Sequence, residues 1–278
     1  MTRPEVAFPG ATGLTVLDVY DWPCPDGLRG GSAHVHLAST EGYLVIGGEG
    51  RLQTLGAAGY REAGLRPGDC LWFTPGTVHR LVNDDGRLQI LVVMQNAGLP
   101  EAGDAVLTFP PEVLADPARY AAAASLTGGA EAAGAAAEPA GAPGEPAGQD
   151  TGTGERAGQL TDAAAEAAAR RRRDLAIEGY LALRAQVIEH GPAALDGFLA
   201  AAARLVGGRV PDWRSRWQQQ AAAVAALTGQ HLDGIEAGRP DHLRAGSLQR
   251  IGQPSGPRGY GMCGRLTTYP AHAATGDA

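Results

Sequence analysis

The chain has 278 residues, enough for about two domains, and 44% of them are hydrophobic. Its 30 acidic side chains outnumber the 23 basic ones, all arginine, and the resulting net charge of −7 argues against a general affinity for nucleic acid or an anionic membrane, because both need a basic field. Three widely spaced cysteines without a Cys-x-x-Cys pair, and the lack of a signal peptide or a long apolar run, predict a cytoplasmic protein without a membrane segment.

Residues 1–117 predict a β-rich domain, because short runs of β-branched and aromatic residues alternate with glycine-rich turns. The predicted strands cover residues 14–20, 33–37, 43–46, 71–74, 78–83 and 88–94. Their spacing indicates a small barrel or sandwich. The segments 47–50 and 84–86 contain residues that tolerate positive φ, and they predict hairpins between the flanking strands.

A change of composition separates this domain from the rest of the chain. Residues 118–160 are predicted to be a disordered linker, because their Ala, Gly, Pro and polar residues cannot offset the entropy of ordering the chain. An apolar stripe then predicts a helical region over residues 161–250, in which the last long helix ends at Gly229. In the tail, residues 251–278, alternating apolar side chains are compatible with an added edge strand.

Three histidines and one glutamate have a spacing that suits a metal site. His34 and His36 alternate in an extended run, so both imidazoles project from one face, about 7 Å apart. Glu41 begins the next apolar run, and His79 lies in a later strand. A lone histidine is usually an ordinary core or surface group, but neutral imidazoles and a carboxylate in register favour binding of a divalent transition metal.

Two residue patterns resemble the two sequence motifs of the cupin superfamily. The first pattern is His34-Val35-His36, four residues, Glu41, six residues and Gly48. The second is Gly68, then Pro75-Gly76, two residues, His79, three residues and Asn83. The resemblance covers roughly residues 10–100. It departs from the family pattern at Leu28, where a glycine is usual, and at Pro75, which directly precedes Gly76, but neither departure involves a predicted metal ligand.

The resemblance implies a double-stranded β-helix, the cupin jelly roll, over residues 1–117, so that the whole chain is α+β with a mostly α-helical C-terminal region. It also implies one divalent metal at the mouth of the barrel, held by His34, His36, Glu41 and His79. Iron, manganese, nickel, cobalt and zinc all accept such ligands with open positions left over. A homodimer is expected as well, because single-barrel cupins commonly pair their sheets.

Two functional hypotheses from different classes follow. The first is a metal-dependent enzyme acting on a small organic molecule, either a dioxygenase or an isomerase or epimerase-like catalyst. The second is a non-catalytic metabolite-binding or regulatory module, in which the helical extension contacts a partner. Four residues on or beside predicted strands are candidates for the substrate pocket: Tyr43, Trp72, Asn83 and Gln95. No catalytic acid or base stands out in the sequence.

Overall fold

The computed structural model of the chain describes residues 7–126 and 162–271. Within these residues the strands form two antiparallel sheets that enclose an apolar core. The strands are β1 (Gly13–Val19), β2 (His34–His36), β3 (Glu41–Gly47), β4 (Gly50–Gly56), β5 (Gly59–Leu65), β6 (Cys70–Phe73), β7 (Val78–Asn83), β8 (Gln89–Met94), β9 (Ala105–Leu107), β10 (Gly259–Tyr260) and β11 (Gly264–Tyr269).

The six-stranded sheet has the order β10-β11-β1-β8-β3-β6, and the five-stranded sheet has the order β5-β4-β7-β2-β9. Consecutive strands often lie in different sheets, which is the arrangement of a jelly roll. The predicted fold class, a cupin-like jelly roll followed by a helical region, is confirmed.

The two predicted hairpins are wrong. Residues 47–50 connect β3 in the six-stranded sheet to β4 in the five-stranded sheet, and residues 84–86 connect β7 to β8, again across the two sheets. Gly48 and Gly86 do have positive φ, at 69° and 75°, so the turns themselves exist. Residues that permit a turn do not determine whether the strands on either side pair with each other.

Three strands of the N-terminal domain lie outside the predicted runs. β4 and β5 form a hairpin at the end of the five-stranded sheet, and β9 pairs with β2. Much of β5 is exposed because it is an edge strand, so its polar sequence lacks the alternation that marks a half-buried strand. β9 has three residues, too few for any periodicity to be visible.

The helices are α1 (Pro111–Leu114), α2 (Pro117–Ala124), α3 (Asp162–His190), α4 (Asp196–Val206), α5 (Val210–Trp217) and α6 (Ala223–Glu236). A π-helical turn, Gln218–Ala222, joins α5 to α6, so the helix continues through Gly229, which was wrongly predicted to end it. The predicted linker, residues 118–160, begins inside α2, which Asp116 caps by accepting hydrogen bonds from two backbone N–H groups. Residues 127–160 lie outside the described residues.

The helical region packs on the outer face of the five-stranded sheet. Val35, Leu55 and Val78 from this sheet share an apolar cluster with Ile177 and Tyr180 of α3. The contact is close: a Cβ atom at Gly179 of α3 would lie 2.0 Å from the carbonyl oxygen of Thr108. The barrel and the helices are therefore successive layers around a shared core.

The tail returns to the barrel. β11 pairs with β1 along six residue pairs, and β10 lies outside β11, at the edge of the six-stranded sheet. The tail thus supplies two strands, and the outermost is β10. Within residues 7–126 and 162–271, no helix combines the length and the apolarity that crossing a membrane requires.

Candidate metal centre

Four buried side chains from both sheets converge inside the barrel. His34 and His36 are alternate residues of β2, and His34 lies directly opposite His79 of the neighbouring strand β7. Glu41 is the first residue of β3 in the facing sheet. Each of these residues offers one ligand atom, and all four atoms lie within 4.8 Å of one another. We refer to these four residues as the His/Glu cluster.

The backbone determines which ring nitrogen of two histidines faces the centre. The Nδ1 atom of His34 lies 3.2 Å from the carbonyl oxygen of Ser32, and that of His79 lies 3.1 Å from the carbonyl oxygen of Thr77. Because a carbonyl oxygen can only accept, we assign the ring proton to Nδ1 in both residues. Each Nε2 atom then carries a lone pair, and the two Nε2 atoms are 3.1 Å apart.

The carboxylate of Glu41 lies beside these lone pairs. Its Oε2 atom is 3.1 Å from Nε2 of His79 and 3.3 Å from Nε2 of His36, yet it is buried and none of the described residues gives it a well-aligned hydrogen bond. The lone pairs of His34 and His79 and the carboxylate oxygen of Glu41 point toward one another, and a cation among these three acceptor atoms relieves their mutual repulsion. The donor set therefore fits a divalent transition metal.

His36 has a second carboxylate behind it. Oδ2 of Asp104 lies 3.5 Å from Nδ1 of His36, while Oδ1 accepts hydrogen bonds from the backbone N–H groups of Leu37 and Ala38. Burial lowers the pKa of His36, but Asp104 and Glu41 together raise it to about 9. Burial and the neighbouring rings of His79 and His36 hold the pKa of His34 well below its usual value.

The pKa of Glu41 is also shifted by its surroundings in the cluster. Burial would raise the pKa of Glu41, but the ring of His36, whose own pKa is raised, holds the pKa of Glu41 well below its usual range. Glu41 is thus ionised at neutral pH, as a metal ligand must be.

A cavity of about 250 Å³ lies against the cluster. His34, His36 and Glu41 form its inner end, and Glu101 also lines it. The tail contributes Met262, Cys263, Leu266 and Thr268 to the wall. The C-terminal segment therefore forms part of the candidate site.

Of the four predicted pocket residues, Tyr43 lines this cavity. Trp72 is 72% exposed, because it points to the outer face of β6, one position out of phase with buried Phe73. Asn83 is buried, but it donates to the carbonyl oxygen of Val19 and accepts from the N–H group of Leu88, so it joins two strands instead of facing the cavity. Gln95 is exposed and accepts a hydrogen bond from the N–H group of Thr40.

Sequence reasoning missed Asp104 and the cavity residues of the tail. Asp104 immediately precedes β9, a strand that is too short to produce a recognisable alternation in the sequence. Cys263 lies with its Sγ atom 3.9 Å from Nδ1 of His34, and burial raises the pKa of its thiol, followed by a smaller effect of Glu41. The sequence did contain one indication of the tail residues, because Tyr260, Met262 and Leu266 alternate as in a strand. That alternation does not show which sheet the strand joins.

Comparison with protein families identifies one match. The model of the cupin domain matches residues 25–94, a segment that contains the whole His/Glu cluster. A search of curated proteins found no match.

Parts of several solved structures are similar to part of this chain. One is a conserved protein with a double-stranded beta-helix domain from Klebsiella pneumoniae, with 22% identity, a TM-score of 0.25, and coverage of 34% of this chain and 73% of that one. Another is Pac13, a nucleoside dehydratase, with 12% identity, a TM-score of 0.24 and coverage of 34% and 62%. A third is an oxalate oxidase in complex with glycolate, with 23% identity, a TM-score of 0.23 and coverage of 31% and 51%.

Proposed function

Residues 25–94 of this chain form a cupin domain, and we propose that the protein binds one divalent transition metal, namely iron, manganese, nickel, cobalt or zinc, through His34, His36, Glu41 and His79. The observation that carries this proposal is the lone-pair geometry. The Nε2 atoms of His34 and His79 are 3.1 Å apart, and the buried Oε2 atom of Glu41 has no aligned donor among the described residues.

The wider proposal is a metal-dependent enzyme that acts on a small organic molecule in the adjoining cavity. When bound, the metal supplies Lewis acidity or, in the case of iron, activation of O2. The protein's own contribution is positional: the carbonyl oxygens of Ser32 and Thr77 orient the rings of His34 and His79, and Asp104 lies against the ring of His36.

Dioxygenase and isomerase or epimerase-like chemistry differ in their need for a protein base. Burial raises the pKa values of Tyr43 and Cys263, so both keep their protons at neutral pH. Among the described residues, two carboxylates line the cavity, and the one that is not a predicted metal ligand is Glu101. Proton transfer would therefore use Glu101, whereas an oxygenase would tolerate its replacement by glutamine.

Metal analysis of the purified full chain tests the proposal. We expect about one equivalent of a transition metal after reconstitution, and less than about a tenth in the double variant His34→Ala/His79→Ala. His190→Ala is a matched control, because His190 is exposed at the end of α3. Reconstituted wild-type protein with less than about a tenth of an equivalent would refute metal binding.

A non-catalytic module whose helical extension contacts a partner is the second candidate. Its support is α6, which has no buried residue and exposes Leu227, Leu232 and Ile235. The triple variant Leu227→Ser/Leu232→Ser/Ile235→Ser tests this candidate, because it removes the exposed apolar side chains of α6 and leaves β11 and the cavity wall in place. Loss of partner binding with unchanged metal uptake would favour the module, and unchanged binding of other proteins would count against it.

A homodimer is part of the proposal. The outer face of the six-stranded sheet carries the exposed side chains Leu44, Ile46, Trp72 and Val93, and Trp72 and Val93 lie on either side of Gly42. β6 forms one edge of this sheet. An open apolar face beside an unpaired edge favours association with a second copy.

A further inference from the structure

The charges around the cavity restrict what it accepts. Apart from the His/Glu cluster, the charged side chain that lines it is Glu101, and no arginine is among its lining residues in the described part of the chain. The whole sequence contains no lysine. Among the described residues that line the cavity, an anionic group would therefore find no cationic side chain beyond the cluster.

The walls of the cavity are mainly apolar. Leu17, Val92, Met94 and Leu266 come from β1, β8 and β11 of the six-stranded sheet. The polar wall residues Thr15 and Thr268 lie opposite each other, and their hydroxyl oxygens are 3.4 Å apart. A molecule that reaches the cluster thus leaves water for a largely apolar surface.

Glu101 lies at the open end of the cavity. It is exposed, whereas the cluster is buried. Its Oε2 atom accepts a hydrogen bond of 2.7 Å from the backbone N–H group of Gly98, which fixes the carboxylate on the turn that forms this lip. Arg209 packs against Gly103 of the same turn and does not line the cavity.

We propose that the site takes a small, mainly apolar molecule that binds the metal through one polar head group, and that Glu101 selects for a neutral or cationic group at its other end. Dicarboxylates and phosphate esters are disfavoured, because their second anionic group would face Glu101 with no counter-charge. This inference rests on the metal centre proposed above and specifies the class of ligand that the centre accepts.

Three hydroxamates that share a head group and differ only at the tail test the inference. They are butanehydroxamic acid, succinic acid monohydroxamate and β-alanine hydroxamate, whose tails are a methyl, a carboxylate and an ammonium group. Each is titrated into the cobalt-loaded full chain, with binding followed by calorimetry and by the visible spectrum of cobalt. We expect the carboxylate tail to bind about tenfold more weakly than the other two.

Two variants test the role of Glu101 and of the missing cation. In Glu101→Gln, which keeps the acceptor for Gly98, the three affinities should converge. Thr268→Arg places a cation on an exposed position of the wall and should strengthen binding of the carboxylate tail by about tenfold. Glu112→Gln, at an exposed position on α1, is the control and should preserve the wild-type order.

The outcomes separate the two levels of the proposal. A chain that takes up no cobalt would refute the metal centre and this inference together. A chain that takes up cobalt but binds the carboxylate tail as tightly as the methyl tail would refute the inference alone. The same holds if the wild-type preference persists unchanged in both Glu101→Gln and Thr268→Arg.

Discussion

Asp104 links the metal centre to the backbone around it. One carboxylate oxygen accepts from two successive N–H groups, those of Leu37 and Ala38, and the other lies 3.5 Å from the ring of His36. A carboxylate in this position favours the tautomer with the proton on Nδ1 and leaves Nε2 for the cluster. Asp104 is fully buried, so solvent does not weaken this effect.

Replacement of Asp104 by asparagine should weaken metal binding without unfolding the protein. The amide oxygen can still accept from Leu37 and Ala38, but the negative charge beside His36 is lost. We expect the dissociation constant for zinc to rise about 10- to 100-fold, measured by competition with a chelator. Asp233→Asn, on exposed α6, is the control, and equal affinities in the two variants would contradict the role of Asp104.

Arg80 and Arg173 are the largest fully buried side chains among the described residues, and within that part of the chain the carboxylate partner of Arg80 is Asp26. Its Nη1 and Nη2 atoms donate to the two oxygens of Asp26 at 2.6 and 3.1 Å. Partial burial raises the pKa of Asp26, but the hydrogen bonds and charge of Arg80 outweigh it, and the pKa is lowered from 3.8. Because the pKa of Asp26 is lower in the folded state, this ion pair stabilises the protein above about pH 4. The stabilisation is lost as the pH falls through the pKa that Asp26 has in the folded state.

The variant Asp26→Asn should show this dependence directly. At pH 7 it leaves Arg80 buried without a charged partner, and we expect the free energy of unfolding to fall by about 3 kcal/mol in urea titrations. Between pH 5 and about pH 3 the wild type should lose stability faster than the variant. Parallel pH profiles for the two proteins, or equal stability at pH 7, would contradict the assignment.

The residues of the cluster were predictable because metal ligands must be close in space, and strand alternation together with two short sequence patterns marks all four of them. The pocket residues were less predictable. Trp72 and Tyr43 both occur in apolar runs, but which face of a strand is inside depends on the register, and a shift by one residue exchanges the faces. Asp104 belongs to neither pattern, and its role depends on the fold alone.

Among the elements, α3 supports the cavity wall that the tail provides. Arg172 of α3 is buried, and its Nη2 atom donates to the carbonyl oxygen of Gly261 at 2.7 Å. The hydroxyl group of Tyr20 donates to the same oxygen at 2.9 Å. These bonds hold the turn that places Met262 and Cys263 in the cavity.

Removal of this support should expose a cysteine. In the wild type we expect Cys24 and Cys263 to react slowly with a disulfide reagent, because both are buried. In Arg172→Ala the turn loosens, and peptide mapping should show rapid modification of Cys263. Arg171→Ala is the matched control, since Arg171 is the exposed neighbour on the same helix. A reactivity of Cys263 that is unchanged in Arg172→Ala would contradict the role of Arg172.

Strands with strong alternation were predictable, and those at edges were not. β5 faces solvent along most of its length, so its polar residues carry no period of two. The helix through Gly229 extends because the residues around the glycine favour helix strongly enough to offset its cost of about 1 kcal/mol. A glycine ends a helix when the chain adopts positive φ there, and Gly229 does not.

On the scale of the whole molecule, the two sheets differ in what covers them. Helices cover the outer face of the five-stranded sheet, and the tail extends the six-stranded sheet, whose outer face exposes Leu44, Ile46, Trp72 and Val93. The apolar stripe in the second half of the chain predicted a helical region, but no local pattern indicates which sheet face a distant helix covers.

The open face predicts how a homodimer is disrupted. We expect the wild type to have about twice the mass of one chain by light scattering at micromolar concentration, and Ile46→Glu or Trp72→Glu to give monomers, because each places a charge on the apolar face. Leu232→Glu, on exposed α6, should leave the mass unchanged. A monomeric wild type would contradict the dimer.

X-ray absorption at the metal edge of the zinc- or cobalt-loaded full chain tests the metal centre most directly. The first coordination shell should contain nitrogen and oxygen atoms at about 2.0 to 2.2 Å, with the multiple-scattering signature of three imidazoles. That signature should shrink by one imidazole in His79→Ala. A shell with sulfur at about 2.3 Å, or one without imidazoles, would show that the ion lies elsewhere in the protein.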